Sequence, residues 1–78
     1  SDFFKSLKKM KFPIKKIKNV YYFKIGRWNL KLMNGQTIKL PFEDIEESIK
    51  LSVDLLNKEN FKKYKVIDLR ISGKIITE

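Results

Sequence analysis

Four carboxylates in five positions, Glu43, Asp44, Glu46 and Glu47, form the densest set of ionisable side chains in this sequence. Paired carboxylates hydrolyse glycosides when they face each other across a cleft, and they hold hard cations when several converge. At the start of a helical pattern they do neither. They radiate around the helix end and complement the positive pole of its dipole. The chain has no cysteine and no histidine, so the common general base, the thiolate nucleophile and the Ser-His pair are missing, together with the ligands of a structural zinc. Gly26, Gly35 and Gly73 are isolated from one another, which leaves no phosphate-cradling loop. The sequence argues against an enzyme, and no cofactor or metal is expected.

A second constellation is basic and aromatic. Residues 1–39 hold ten lysines and Arg27 against the single acid Asp2, whereas residues 40–78 are close to neutral. Tyr21, Tyr22, Phe23 and Arg27 sit inside the basic half, and interleaved rings and cations are how some sheets bind single-stranded nucleic acid. A basic α+β nucleic-acid-binding module is therefore one reading. Against it, arginine supplies the bidentate fork that phosphate readers favour, and there are only two arginines to sixteen lysines. With ten isoleucines and no alanine, that ratio is also the imprint of AT-rich coding. A lysine-rich stretch over residues 5–24 is equally suited to anionic lipid or wall polymer.

The elements that must position these residues can be read from periodicity. Phe3, Leu7 and Met10 fall at helical spacing over residues 2–12, with Asp2 as N-cap and Pro13 as the stop. Residues 14–25 are β-branched and aromatic and read as a strand whose phase is ambiguous because both faces carry bulk; the favoured phase turns Tyr21 and Phe23 to a helix and Tyr22 to solvent or another strand. Gly26 permits a reversal. Trp28, Leu30 and Leu32 then alternate with polar residues, Asn34-Gly35 supplies the two positive-φ residues of a type I′ turn, and Ile38 and Leu40 continue the apolar face up to Pro41. From Phe42 to about Asn57 the period becomes helical, with Ile45, Ile49, Val53 and Leu56 in one stripe, widened by Phe42 and Leu55. Glu46 with Lys50 and Asp54 with Lys58 add i,i+4 pairs. Residues 58–63 form a loop that tucks Phe61 inward. Strands follow over residues 64–71 and 74–77, joined by a Ser72-Gly73 turn, with Asp68 and Arg70 on a shared face.

The expected architecture is a single α+β domain over residues 1–78, an antiparallel sheet with two helices packed on one face, in the order α-β-β-β-α-β-β. No apolar run is long enough to cross a bilayer. The chain does not begin with methionine, and it reads as an excised piece of something longer.

Two blocks carry a resemblance. The first is Gly26-Arg27-Trp28, an alternating strand, Asn34-Gly35, a short strand, Leu40-Pro41 and an acidic helix. The second is Val66-Ile67-Asp68-Leu69-Arg70-Ile71-Ser72-Gly73. In order and spacing they resemble the carboxy-terminal β domain of the FtsQ/DivIB bacterial cell-division family, over residues 20–78.

That resemblance implies a non-catalytic scaffold of the divisome, anchored by a single pass in the cytoplasmic membrane and exposed on its extracytoplasmic or periplasmic side. The fragment itself would remain soluble. It implies FtsB and FtsL as partners during septum assembly, with an FtsB segment adding as a strand after the DLR motif. Carried onto this chain, the contacts fall on Arg70, Ile71, Ser72, Gly73, Lys74 and Ile75. Arg70 would meet an acidic residue, and the backbone from Ile71 to Ile75 would supply ladder hydrogen bonds. The alternative for Arg70 is an internal pair with Asp68 or a helix carboxylate. The first strand, residues 14–23, is expected to form a raw sheet edge through which the fragment self-pairs or swaps strands.

Overall fold

The computed structural model of the chain describes residues 2–78. Its elements follow the expected order: α1 (Asp2–Lys9), β1 (Ile17–Tyr22), β2 (Trp28–Leu32), β3 (Thr37–Leu40), α2 (Ile45–Leu56), β4 (Val66–Asp68) and β5 (Ile76–Thr77). Short 3-10 turns occupy Ile14–Lys16 and Glu59–Phe61. The fold is α+β. The five strands make one sheet in sequence order, and every neighbouring pair is antiparallel except β3 and β4. A helix joins those two strands and carries the chain back to the end where β3 began, so β4 runs parallel to it. The sheet is thus mixed, with one parallel pair.

Leu30, Leu32, Ile38, Leu40 and Ile67 line the face of the sheet that the helices cover, and all five are buried. Phe3, Leu7 and Phe12 come from α1 and its exit, Ile49 and Leu55 from α2, and Leu69 from beyond β4. Phe3 lies flat on Trp28, ring centroids 4.1 Å apart and nearly parallel, and the Tyr22 ring is tilted against Trp28 at 4.6 Å. This settles the phase of β1. Val20 pairs with Leu30 and Tyr22 with Trp28, on the helix side, while Tyr21 and Phe23 point away; all three rings, Tyr22 at the rim included, are exposed. The phase favoured from the sequence, with Tyr21 and Phe23 toward a helix, is the opposite one. A bulge between Ile17 and Asn19 inserts Lys18 and shifts the register, and no alternation count reveals such an insertion.

Both hairpins close with the same loop. Gly26 N–H donates to the Phe23 carbonyl and Phe23 N–H to that of Arg27; Gly35 N–H donates to Leu32 and Leu32 N–H to Gln36. Each is a three-residue loop ending in a left-handed glycine, with φ of 90° at Gly26 and 96° at Gly35. Asn34 has no positive φ, so the expected type I′ turn is not formed. Its side chain is engaged instead: Oδ1 accepts from the Gln36 N–H and Nδ2 donates to Gln36 Oε1, both at 2.9 Å. Gln36 is itself buried, and its Nε2 donates to the carbonyls of Phe61 and Tyr64 at 2.9 and 2.8 Å. The hairpin tip and the segment before β4 are therefore tied together by one satisfied amide.

The helices end where local geometry requires. Past α1, Phe12 N–H donates to the Leu7 carbonyl and Lys11 N–H to that of Lys8, the paired bonds of a Schellman motif. Lys11 takes the left-handed position, φ 60°, that usually falls to glycine. Asp2 is the first residue of α1 rather than its cap, and the cap position, Ser1, lies outside the described residues. α2 begins at Ile45 rather than Phe42, because Asp44 is left-handed at φ 55° and breaks the pattern. Phe42 consequently leaves the apolar stripe. Ser52 takes its place among the buried residues of α2 and donates to the Ile49 carbonyl at 2.6 Å. Glu46 does not pair with Lys50: it joins the helices, receiving Ser6 Oγ and Lys9 Nζ at 3.1 Å each. These two donors, Lys9 first, hold its carboxyl below its ordinary range. Lys58 lies beyond the end of α2, and the expected Asp54–Lys58 pair is not formed either.

Two substitutions test the backbone argument in opposite directions. Lys11→Gly removes a left-handed strain at the Schellman position and is expected to raise the unfolding free energy by about 0.5–1 kcal/mol. Gly26→Ala forces a Cβ onto a positive φ and into the Phe42 ring, and is expected to lower it by about 1–2 kcal/mol. Chemical denaturation of the two variants beside the parent chain measures both.

Candidate functional site

The six residues singled out near the carboxy-terminal end, Arg70, Ile71, Ser72, Gly73, Lys74 and Ile75, all line one groove of roughly 540 Å³. Its opposite wall is the approach to α2 and its first turn, where Phe42, Glu43, Asp44 and Glu47 stand, and Leu51 and Leu69 contribute apolar surface. Arg27 reaches it from the first hairpin. The acidic cluster is thus divided by the fold. Glu46 binds α1, while the other three carboxylates border the groove. Among the described residues no three ligand-type side chains converge on a metal-sized site.

The groove exists because β4 is short. A strand was expected to run to Ile71, but Asp68 stops it at three residues. Its Oδ1 accepts the backbone N–H of Arg70 at 3.0 Å and bends the chain out of the sheet, with Leu69 N–H still donating to the Lys39 carbonyl at 2.9 Å. The Arg70 guanidinium then closes on the same carboxylate, Nε to Oδ1 at 2.9 Å and Nη2 to Oδ2 at 2.7 Å. The internal pair is the arrangement the structure adopts. Arg70 holds the Asp68 carboxyl below its usual range against the opposing effect of burial, and the Lys39 charge helps. Reciprocally, the Asp68 carboxylate raises the guanidinium pKa.

Beyond Arg70 the chain turns at Ser72-Gly73, where Lys74 N–H donates to the Ile71 carbonyl and Gly73 has φ 76°. Glycine at that position gives the positive φ a type II turn requires. Residues 71–75 are therefore loop rather than strand. The ladder resumes only at β5, which forms the last strand of the sheet. Val66 and Glu78 exchange N–H···O bonds, so the alternation of an antiparallel pair turns the N–H and C=O of Thr77 to the open edge. Ile71, Ile75 and Ile76 are exposed beside it, as is Phe42 across the groove. The sequence did not reveal Phe42, Arg27 or Glu47 as neighbours of this segment. The one available signal was Gly26, whose missing side chain makes room for the Phe42 ring.

The family described as cell division protein FtsQ/DivIB, C-terminal, matches residues 1–70. A Rickettsia conorii protein named cell division protein FtsQ is 46% identical over 55 residues, covering 67% of this chain and 20% of that protein. Its counterpart of the same name from Rickettsia felis is 38% identical over 77 residues, covering 92% of this chain and 28% of the relative. The chain thus spans less than a third of the length of these relatives. No solved structure matches it. The match over residues 1–70 takes in both hairpins, both helices and the Asp68–Arg70 pair, and on that ground the chain belongs to the FtsQ/DivIB cell-division family, in its carboxy-terminal part.

Proposed function

We propose that this chain is a non-catalytic binding module of the bacterial division machinery, and that the groove beside β5 receives an extended segment of FtsB, in company with FtsL. The observation that carries the reading is the open backbone edge at Thr77 lying next to a groove that residues 70–75 line. An incoming strand would gain main-chain hydrogen bonds from the edge, and the exposed side chains of Ile71, Ile75 and Ile76 would select its apolar residues. Arg70 and Lys74 would meet an acidic residue of the partner. In the longer protein this module would lie on the extracytoplasmic side of the cytoplasmic membrane, held by a membrane anchor in a different part of the chain. No helix among the described residues is long and apolar enough to cross a membrane.

Self-pairing of the fragment is assigned to the other edge. β1 is the first strand of the sheet, and from Asn19 to Tyr22 its pairing is regular. Sedimentation equilibrium is expected to show a monomer–dimer exchange that Tyr22→Pro abolishes, because the alternation of the β1–β2 ladder turns the Tyr22 N–H to the open edge and proline removes it; a strict monomer at high concentration would sink this assignment.

Partner binding is tested by an amide-resolved NMR titration with the extracytoplasmic FtsB–FtsL segment of the same organism, and with single-stranded and duplex oligonucleotides as controls. Shifts centred on residues 70–77 are expected. Arg70→Ala should weaken the complex by about 2 kcal/mol or more. Shifts confined to the Tyr21–Phe23 region and produced only by oligonucleotide would overturn the reading in favour of nucleic acid.

The Asp68–Arg70 pair supplies a second, independent check. The Asp68 pKa is lowered in the folded chain, so its stabilisation is complete above the unfolded carboxylate range, near pH 4, and is lost as pH falls through the folded value. Asp68→Asn is expected to cost about 1 kcal/mol at neutral pH, after discounting for the solvent around Arg70. It should also flatten the acid limb of stability against pH. Because it frees the Arg70 guanidinium, it should leave partner affinity unchanged or raise it.

A further inference from the structure

The end of the molecule opposite the groove is assembled from three segments far apart in sequence. Met33 N–H donates to the Lys16 carbonyl at 2.8 Å, joining the turn Ile14–Lys16 to the hairpin tip. Gln36 joins that tip to Phe61 and Tyr64, and Thr37 N–H donates to the Lys65 carbonyl at 2.8 Å. The result is a fixed surface on which Lys15, Lys16, Lys58, Lys62, Lys63 and Lys65 are all exposed. The acids in these segments and at the adjoining chain end are Glu59, which pairs with Lys62 at 3.0 Å, and Glu78. Two apolar side chains stand out among the lysines: Met33, 66% exposed at the tip of a tight turn, and Ile14, 39% exposed. Between Lys16 and Lys62 lies a hollow of roughly 350 Å³ with Leu32, Met33 and Leu56 in its lining.

We propose that this end is a docking surface for an anionic lipid bilayer, the lysines lying against the headgroups with Met33 and Ile14 inserted at the level of the glycerol backbone. A lysine ammonium is a point charge without a fixed fork, suited to a diffuse negative surface rather than to one oriented phosphate. An exposed thioether at a turn tip gives nothing to the fold and gains free energy on leaving water, as interfacial anchors do. Nucleic acid fits this end poorly. Its rings, Phe61 and Tyr64, are only partly exposed and stack on each other edgewise, with the Lys63 ammonium 5.2 Å from the Tyr64 centroid; no free face is offered to a base. The proposal does not rest on the division-partner reading, because it uses different residues at the other end of the sheet.

The test is co-sedimentation of the 78-residue chain with phosphatidylcholine vesicles, with and without phosphatidylglycerol, at low ionic strength and in molar salt. Retention is expected only on the phosphatidylglycerol vesicles and only at low salt. Each lysine near such a surface contributes about a fivefold factor, so Lys16→Gln, Lys62→Gln and Lys63→Gln combined should lower the partition coefficient by roughly a hundredfold. Met33→Ser should lower it by about tenfold. A control combining Lys5→Gln, Lys24→Gln and Lys74→Gln removes the same net charge elsewhere and should change it by less than about threefold. Circular dichroism verifies the fold of each variant. Equal loss in the control, no retention at low salt, or tighter binding of a single-stranded oligonucleotide through the same three lysines would each overturn the proposal.

Discussion

A helix, and not a turn, joins β3 to β4, and this connection decides where every candidate surface lies. Because α2 spans twelve residues and returns the chain to the starting end of β3, β4 must run parallel to it. The segment entering β4 then falls beside the hairpin tip at residues 33–36, and the segment leaving it falls beside the start of α2. Both placements are fixed by backbone bonds: Thr37 to Lys65 at one end, Leu69 to Lys39 at the other. Had β4 followed in a hairpin, the Asp68–Arg70 pair and the lysines at 58–65 would have exchanged ends. The groove, the open edge and the basic end all descend from this one topological fact.

At the groove, the same carboxylate serves two structural purposes that compete with recognition. Asp68 stops β4 by capturing a backbone N–H, and it immobilises the arginine that follows. A guanidinium already bound in a bidentate pair has lost much of its rotamer freedom, so a partner carboxylate meets an ordered donor at reduced entropic cost. It must, however, share that donor with Asp68. The Arg70 side chain remains about a third exposed while that of Asp68 is almost fully buried, and this asymmetry leaves an outward face of the guanidinium open. The internal pair and an external contact are compatible on geometry.

Much of the fold was legible because its strongest signals are local. The alternation through Trp28, Leu30 and Leu32, the glycines, and the helical stripe of Ile45 and Ile49 each depend on residues within one or two turns of each other. The misreadings share a different cause. The bulge at Lys18 reversed the faces of Tyr21 and Tyr22, and an extra residue has no signature in a run where both faces carry bulk. Asn34 takes no positive φ because the tip closes as a three-residue loop, as the first hairpin does, and not as a two-residue turn; its side chain is held instead by Gln36, itself fixed by contacts twenty-five and more residues away. Glu46 left Lys50 for α1, forty positions distant. The six groove residues share one neighbourhood because they are contiguous in sequence; Phe42 and Arg27 are brought to them by tertiary structure and carried no local signal of it.

The segregation of charge between the two ends is only partly a consequence of helix electrostatics. Glu46 and Glu47 in the first turn of α2 favour its positive pole, and lysines at its far end would be the natural complement. Yet the last turn of α2 carries no basic residue. The dipole effect decays within a turn, so it does not account for Lys15 and Lys16 before β1 or for Lys62, Lys63 and Lys65 before β4. Nor do ion pairs: among the described residues only Lys62 of this group has a carboxylate partner, and both side chains of that pair are well exposed. Concentrating like charges on one rigid surface opposes folding through self-repulsion. The fold nevertheless holds them together through a buried amide with every hydrogen-bonding atom engaged, and places two bare apolar side chains among them. An arrangement that costs stability and is fixed by internal bonds is better explained by what lies outside the molecule than by what lies within it.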